Sequence, residues 1–167
     1  WCYYNQADEV ELFVNGKSQG VKCKDADNLH VVWRVKFEPG TVKVVSRRKD
    51  EVIAEKEIRT AGKPAEIRLT PDRPVLAADG KDLCFVTVEM LDEEGNLCPN
   101  ADNLVNFTVK GNGFIAGVDN GNPVSLERFK DKKRKAFYGK CLVVIQNDGK
   151  PGKTELTATS EGLRQAV

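Results

Sequence analysis

The chain has 167 residues and is nearly neutral, with 26 Lys and Arg against 25 Asp and Glu. Hydrophobic residues make up 40% of it and charged residues 31%, which excludes a disordered tail, and no apolar run is long enough to span a membrane. A (β/α)8 barrel needs about 250 residues, so a catalytic scaffold of that kind is also excluded. The sequence therefore predicts one ordinary globular domain or two small β-domains.

The first 60 residues alternate between apolar and polar positions, as half-buried β-strands do. Strands are predicted over four segments of this region, 10–14, 31–37, 41–48 and 51–60. Asn15 and Gly16 follow the first segment and form a pair typical of two-residue hairpin turns. Trp33 shares one face of the second segment with Val31 and Val35, so we expect it in a core. No stretch of the chain has the apolar period of an amphipathic helix, and the expected fold class is all-β.

The segment from Ala61 to Pro64 interrupts this alternation and is the expected domain boundary. Six more strand-like segments follow it, at 67–69, 83–91, 104–110, 114–118, 140–146 and 153–160. Short strands separated by Gly, Pro and Asn turns are typical of immunoglobulin-like sandwiches. We therefore predict a first β-sandwich domain over 1–61, a linker at 62–64 and a second, immunoglobulin-like β-sandwich domain over 65–167.

The first predicted domain is small for a sandwich, since it has only about five strands when the second strand of the hairpin at Asn15-Gly16 is included. The chain begins at Trp1, inside a strand-like run, and lacks the charged and apolar regions of a signal peptide. We expect a piece of a longer protein whose first domain is incomplete at its N-terminus. Such a domain would lean on the second domain or on a strand from elsewhere in the longer protein.

The five Cys are an odd number at wide spacings and contain no Cys-x-x-Cys motif. Neither a zinc site nor a complete disulfide framework is indicated, and no cofactor is expected. Cys84 and Cys141 fall on long predicted strands of the second domain. A bridge between these two residues therefore stays open as an alternative to free thiols.

Asp119, Asn120 and Gly121 begin a tight polar loop that continues to Pro123. Asp and Asn side chains cap turns, and glycine adopts the positive φ that such turns require, so the expected role is structural, as it is for Asn15 and Gly16. Calcium binding by the loop oxygens is the alternative. No metal ligand is predicted.

Three aromatic residues have polar neighbours and are the candidates for exposed sites, namely Tyr4, Phe129 and Tyr138. Aromatic rings stack on sugar rings and also anchor protein interfaces. We therefore predict a carbohydrate contact or an interface at these three positions.

The charged residues give no sign of catalysis or of nucleic-acid binding. Glu9 and Glu11 share the polar face of one predicted strand, without the apolar pocket or His neighbour of a general acid. His30, the only histidine, has no partner pattern for catalysis or metal binding. The basic run 130–135 is balanced by acidic residues in the same domain, so we expect a solvated loop there and no catalytic residue anywhere.

Two stretches resemble a known family. The first runs from Tyr4 to Ser18 and continues over 33–40, and the second runs from Gly117 to Pro123 and continues over 134–140. Both are similar to the C-terminal β-domains of family 2 glycoside hydrolases, the β-galactosidase-like enzymes, particularly those of gut Bacteroidetes. The similarity covers nearly the whole chain in the right order. It includes the junction at 60–65, which in that family separates two consecutive immunoglobulin-like domains.

This resemblance implies a multidomain retaining exo-glycosidase, whose catalytic (β/α)8 barrel carries both catalytic glutamates. None of the family's catalytic positions matches a residue here, so the chain alone is expected to be inert as an enzyme. The expected role is structural, with the rest of its own polypeptide, and a second protomer in a dimer, as partners. A carbohydrate-binding module and a surface spacer or adhesin repeat are the alternatives. The resemblance also implies export of the parent protein to the periplasm or the cell surface.

Overall fold

The computed structural model describes residues 1–25 and 27–167, and these residues form thirteen β-strands and no helix. The strands separate into two compact units, Trp1–Thr60 and Ala61–Val167, which we call unit 1 and unit 2. The predicted all-β fold class is therefore confirmed. Among the described residues, no helix is present that could cross a bilayer.

Unit 1 is built on a four-stranded antiparallel sheet. Unit 1 contains six strands, namely β1 (Cys2–Tyr3), β2 (Glu9–Val14), β3 (Lys17–Lys22), β4 (His30–Val31), β5 (Thr41–Arg48) and β6 (Glu51–Arg59). The sheet has the order β3-β2-β5-β6, and β1 pairs separately with β4. Asn15 and Gly16 connect β2 to β3 with φ of 49° and 77°. Positive φ at both central residues matches the twist of the flanking strands, which explains this predicted turn.

The predicted strand over 31–37 is wrong beyond its first residue. Only His30–Val31 pairs with another strand, and no strand runs beside residues 32–38 in the part of the chain that the structure describes. An alternating segment forms a ladder only where a neighbouring strand offers its backbone groups. Trp33 is consequently half-buried rather than in a core, and its Nε1 donates to the carbonyl oxygen of Gly20 at 3.3 Å.

Strand β6 forms one edge of the four-stranded sheet, and all nine of its residues are exposed. Its register against β5 shifts between Ser46 and Arg47, so Ile53 is an extra residue without a partner on β5. A bulge of this kind bends an edge strand and increases its twist.

Unit 2 is a β-sandwich of two sheets. Its strands are β7 (Glu66–Pro71), β8 (Leu83–Leu91), β9 (Leu104–Gly111), β10 (Gly113–Asp119), β11 (Lys133–Lys135), β12 (Lys140–Asn147) and β13 (Thr154–Thr159). The six strands predicted here are confirmed, and β11 is additional. The sheets have the orders β10-β12-β8-β7 and β11-β9-β13. Val88 and Val143 of the first sheet share one buried core with Val105 and Phe107 of the second.

Asp92, in the turn after β8, fixes the beginning of unit 2. Its side chain is 4% exposed, and its carboxylate accepts hydrogen bonds from the backbone N–H of Gly62 at 2.7 Å and of Asn96 at 2.8 Å. These hydrogen bonds, that from Gly62 above all, lower the pKa of Asp92 from 3.8 to about 2. Ala61 packs against the core of unit 2, so residues 61 and 62 are held by this unit.

Candidate functional site

Arg134 belongs to β11, and its side chain inserts into the loop that connects β10 to β11, which we call the 120–132 loop. Its side chain is only 1% exposed. Nη1 donates to the carbonyl oxygen of Glu127 at 3.0 Å, and Nη2 donates to Oδ1 of Asn120 at 3.0 Å and of Asp119 at 3.3 Å. Nε lies 3.7 Å from the Glu127 carboxylate. The guanidinium therefore joins the beginning of the loop to its middle.

The predicted solvated loop over 130–135 is wrong at Arg134. Lys133, Arg134 and Lys135 form β11, whose alternation turns the two lysines outward and Arg134 inward. Ala136 is buried as well. Side chains two residues apart share a face of a strand, so this small apolar residue was the available signal that Arg134 points inward.

The predicted turn residues after β10 form consecutive side-chain caps. Oδ1 of Asp119 accepts hydrogen bonds from the backbone N–H of Asn120 at 2.7 Å and of Gly121 at 3.2 Å. Oδ1 of Asn120 accepts one from the N–H of Asn122 at 3.0 Å, and Gly121 has a φ of 69°. The oxygens considered for calcium thus contact backbone donors and Arg134. In the residues that the structure describes, no group of three or more His, Cys, Asp or Glu could hold a metal ion.

The 120–132 loop presents large apolar side chains to solvent. Val124 is 80% exposed, Leu126 99% and the predicted site residue Phe129 63%. One face of the Phe129 ring contacts Arg134, whose Cζ lies 5.2 Å from the ring centroid. These three exposed residues lie within a span of six on one loop, and we call them the apolar cluster.

Tyr138, another predicted site residue, is 68% exposed and lies in the turn before β12. Asp119 pairs with Leu142 in the register of β10 against β12. The 120–132 loop therefore leaves β10 at the end of the sheet where the chain enters β12. The structure places Phe129 and Tyr138 at the same end of unit 2.

Tyr4, the third predicted aromatic site, lies in unit 1 and is half-buried rather than exposed. Its hydroxyl accepts a hydrogen bond from the backbone N–H of Lys24 at 2.7 Å. The Lys24 ammonium donates to the carbonyl oxygen of Tyr4 and lies 4.5 Å from the centroid of its ring. The exposure predicted for Tyr4 is wrong because Lys24 covers this side chain.

A groove of about 690 Å³ lies on the four-stranded sheet of unit 1, and we call it the unit 1 groove. Five branched aliphatic residues of the sheet line it, namely Leu12, Val42, Val44, Ile53 and Ile58. Four aromatic residues also line it, namely Trp1, Tyr3, Tyr4 and Trp33. Trp1 is 79% exposed, and its ring stacks on that of His30 with centroids 4.7 Å apart. Sequence reasoning missed this groove because it depends on strand pairing rather than on a motif.

The five thiols are free, and the alternative bridge between Cys84 and Cys141 is wrong. Cys84 lies opposite Ile145 in the register of β8 against β12, whereas Cys141 lies opposite Val88. The two thiols are therefore four residues apart along adjacent strands, which is too far for a disulfide. Burial raises the pKa of Cys141 to about 12 and also raises the pKa of Cys84 and of Cys98.

Comparison with known proteins matches the two units to two different family models. The model of "Glycoside hydrolase family 2 C-terminal domain 5" matches residues 67–167, and "Domain of unknown function (DUF4982)" matches residues 1–54. The chain is 87% identical to "Beta-galactosidase BoGH2A" of Bacteroides ovatus over 100% of its own length and 20% of that protein.

Two solved structures resemble the chain closely. A beta-glycosidase from Bacteroides vulgatus is 29% identical with a TM-score of 0.91, and 96% of this chain matches 20% of that one. A glycosyl hydrolase family 2 member from Bacteroides cellulosilyticus is 37% identical with a TM-score of 0.88, and 96% of this chain matches 21% of that one. The chain thus spans about a fifth of the length of these relatives. By the family model that matches most of it, the chain belongs to glycoside hydrolase family 2, with residues 67–167 as a C-terminal domain.

Proposed function

We propose that this chain is a non-catalytic accessory region of a β-galactosidase-like protein of family 2, and that it packs against the rest of that polypeptide. The observation that carries this proposal is the unit 1 groove. Ile58 and Val35 line it and remain 61% and 43% exposed. Burial of apolar surface is stabilising by about 25 cal/mol per Å². An apolar sheet face of this size therefore favours a partner that covers it.

The chemistry of the groove favours polypeptide over sugar as the covering partner. A sugar needs flat aromatic faces together with convergent hydrogen-bonding groups. The sheet side of the groove carries the polar residues Ser46, Glu55 and Lys56 as well. Its aliphatic residues Leu12, Val42 and Val44 pack best against other aliphatic side chains. The larger polypeptide of the family 2 relatives is a source of such side chains.

Hydrolysis in the parent protein is proposed to depend on residues outside this chain. A retaining glycosidase needs one carboxyl group whose pKa is raised, so that it is protonated and serves as the acid. Hydrogen bonds from Ser18 and Arg47 lower the pKa of Glu11, and those from Gly62 and Asn96 lower the pKa of Asp92. Both carboxylates are therefore held in the ionised form, which suits a structural role.

The proposal is tested with two proteins. One is this chain, and the other is the Bacteroides ovatus relative in which this chain replaces the matching segment, which we call the chimera. We expect the chain alone to hydrolyse a chromogenic β-galactoside at the background rate. Hydroxyl-radical footprinting should show Ile58 and Val35 reactive in the chain alone and protected in the chimera.

A matched pair of variants makes this test specific. Ile58→Asp should lower the melting temperature of the chimera, whereas Leu29→Asp, at a residue that is 76% exposed and does not line the groove, should not. Equal reactivity of Ile58 in both proteins, or turnover by the chain alone, contradicts the proposal.

A carbohydrate-binding module is the second candidate, favoured by the aromatic residues of the groove and by Phe129 and Tyr138. Titration calorimetry of the chain with galactose and lactose tests it. Binding that is weakened by Trp33→Ala assigns the sugar to the groove, whereas binding weakened by Tyr138→Ala assigns it to unit 2. Heat signals equal to those of dilution reject this candidate.

A further inference from the structure

We propose that the 120–132 loop is a second docking element, which inserts Val124, Leu126 and Phe129 into an apolar pocket with an acidic rim on the surface of the larger family 2 polypeptide. This inference rests on the proposed accessory role. It concerns a different unit and a different surface from the unit 1 groove.

The loop is held in one shape before any partner binds. Arg134 donates to Asp119, Asn120 and Glu127, as described above for its guanidinium. The Glu127 carboxylate also accepts hydrogen bonds from the backbone N–H of Lys135 at 3.1 Å and from the Ser125 hydroxyl at 3.1 Å. A loop that is already ordered loses little conformational entropy on binding, which favours its use as a docking element.

Backbone hydrogen bonds attach the end of the loop to both sheets of unit 2. The N–H of Val118 on β10 donates to the carbonyl oxygen of Phe129 at 2.7 Å. The N–H of Phe107 on β9 donates to the carbonyl oxygen of Lys132, also at 2.7 Å. The exposed side chains of the loop are thus presented by a rigid support.

The exposed side chains of this loop select a protein as the partner. Leu126 is 99% exposed and Val124 is 80% exposed, so neither packs within unit 2. Branched aliphatic groups pack best against other aliphatic side chains, whereas a sugar needs flat aromatic faces together with hydrogen-bonding groups. Phe129 adds an aromatic ring, and aromatic residues are enriched at the anchors of interfaces.

The charges around these side chains define the rim of the partner pocket. Five exposed basic residues follow or flank the cluster, namely Arg128, Lys130, Lys132, Lys133 and Lys135. Among the described residues, none of these five is in an ion pair. Asp119 and Glu127 contact Arg134, and Asp131 offsets only one of the five charges, so a net positive charge remains at this surface. A basic collar of this kind complements an acidic rim.

The test compares the chain alone with the chimera. In the chain alone, hydroxyl radicals should modify Leu126 and Phe129 rapidly, and in the chimera the reactivity of both should fall several-fold. Leu126→Asp should lower the melting temperature of the chimera but not that of the chain alone, because Leu126 has no packing partner within unit 2. Val75→Asp is the matched control, since Val75 is 76% exposed in the same unit and lies outside the loop.

Each outcome has a defined meaning. Equal reactivity of Leu126 and Phe129 in both proteins overturns the inference, and so does an equal effect of Leu126→Asp and Val75→Asp in the chimera. Protection that appears in the chain alone and grows with its concentration identifies a second copy as the partner and also overturns it. If the reactivity of Leu126 and Phe129 falls only after lactose is added, the partner is a sugar and the inference is overturned. Protection of Ile58 without protection of Leu126 rejects this inference and leaves the proposed function intact.

Discussion

Units 1 and 2 both consist of strands with alternating apolar residues, yet they bury very different shares of their apolar surface. In unit 2 the inner faces of two sheets meet, and Val88, Val105 and Val143 are 0% exposed. In unit 1 the four-stranded sheet is accompanied by the two short strands β1 and β4, and Ile58 remains 61% exposed. Alternation thus specifies which side chains point to a common face, whereas a buried core also requires a second sheet of matching size.

This contrast gives unit 2 the features of an independent sandwich, and it supports the proposal that other polypeptide covers the open face of unit 1. Both hydrogen-bonded sheets of unit 2 contribute to one core, and Arg134 and Asp92 are buried polar groups that find partners within the unit. Unit 1 also buries Val10, Val14 and Val45, but Val35 and Ile58 remain exposed along a groove that is open to solvent. The following experiments test the contrast, in order of decreasing effect.

The core of unit 2 should be the most sensitive to truncation. Phe107→Ala removes a ring that is 3% exposed, and we expect a loss of about 3–5 kcal/mol in the free energy of unfolding. Ile58→Ala in unit 1 should change it by less than about 0.5 kcal/mol, because this side chain is mostly exposed already. Urea denaturation followed by circular dichroism measures both. Similar losses for the two variants would show that the groove of unit 1 is closed in solution.

Replacement of Arg134 should have the next largest effect, because it removes three hydrogen bonds that join Asp119, Asn120 and Glu127. Arg134→Met is expected to cost about 1–3 kcal/mol, since Asp119 and Glu127 are partly exposed and regain water. The loop should also become more sensitive to trypsin at Arg128 and Lys130. Lys133→Met, at the exposed neighbour on the same strand, is the control and should alter neither stability nor cleavage. Unchanged proteolysis of Arg134→Met would mean that the guanidinium does not order the loop.

Substitution of Asp92 should have a smaller effect on stability, and this effect should depend on pH. The pKa of its carboxyl group is 3.8 ordinarily and about 2 in the folded chain, so its contribution to stability is complete above about pH 4 and is lost as the pH falls through about 2. Asp92→Asn should therefore lower the melting temperature at neutral pH, and the difference from the parent chain should shrink between about pH 4 and about pH 2. Glu93→Gln, at the exposed next residue, serves as the control. A difference that is constant with pH would contradict a role for the ionised carboxylate.

Alkylation of the cysteines should distinguish the two units by the accessibility of their thiols, without a change in stability. Cys23 of unit 1 is exposed, whereas Cys84, Cys98 and Cys141 of unit 2 are buried. Since burial raises the pKa of Cys141 to about 12, little thiolate forms there at neutral pH. Mass spectrometry of the chain during alkylation should show Cys23 modified first and Cys141 modified only after unfolding. Early modification of Cys141 would indicate that the core of unit 2 opens readily.

Local patterns were sufficient to predict much of the fold. Asn15-Gly16 carries its own backbone preference, and segments such as Leu83–Leu91 alternate and end at turn residues, so these elements could be read from the sequence. The pairing between strands could not be read from the sequence in this way. The segment 31–37 alternates in the same way, but its partner would have to come from elsewhere in the chain, and only Val31 finds one. Trp33 and Val35 of that unpaired segment line the unit 1 groove.

The candidate sites were harder to predict because their burial depends on residues distant in the sequence. The charge of Arg134 predicts exposure, yet the oxygens that solvate it lie 7 to 15 residues earlier, and the path of the loop brings them together. Tyr4 is covered by Lys24, 20 residues later. Phe129 and Tyr138 were predicted to be exposed from their polar neighbours, and both are exposed in the structure. Whether they contact a partner remains a prediction.

The edge strand β6 limits polymerisation of a unit that has an open apolar face. An unpaired strand is a template for a second copy, and long flat apolar edges lead to aggregation. Strand β6 contains the bulge at Ile53 and carries charges at five of its nine positions, Glu51, Glu55, Lys56, Glu57 and Arg59. An antiparallel copy centred on Glu55 would place two glutamates directly opposite each other, which is unfavourable. The edge therefore discourages fibril-like assembly while the neighbouring face stays available for packing.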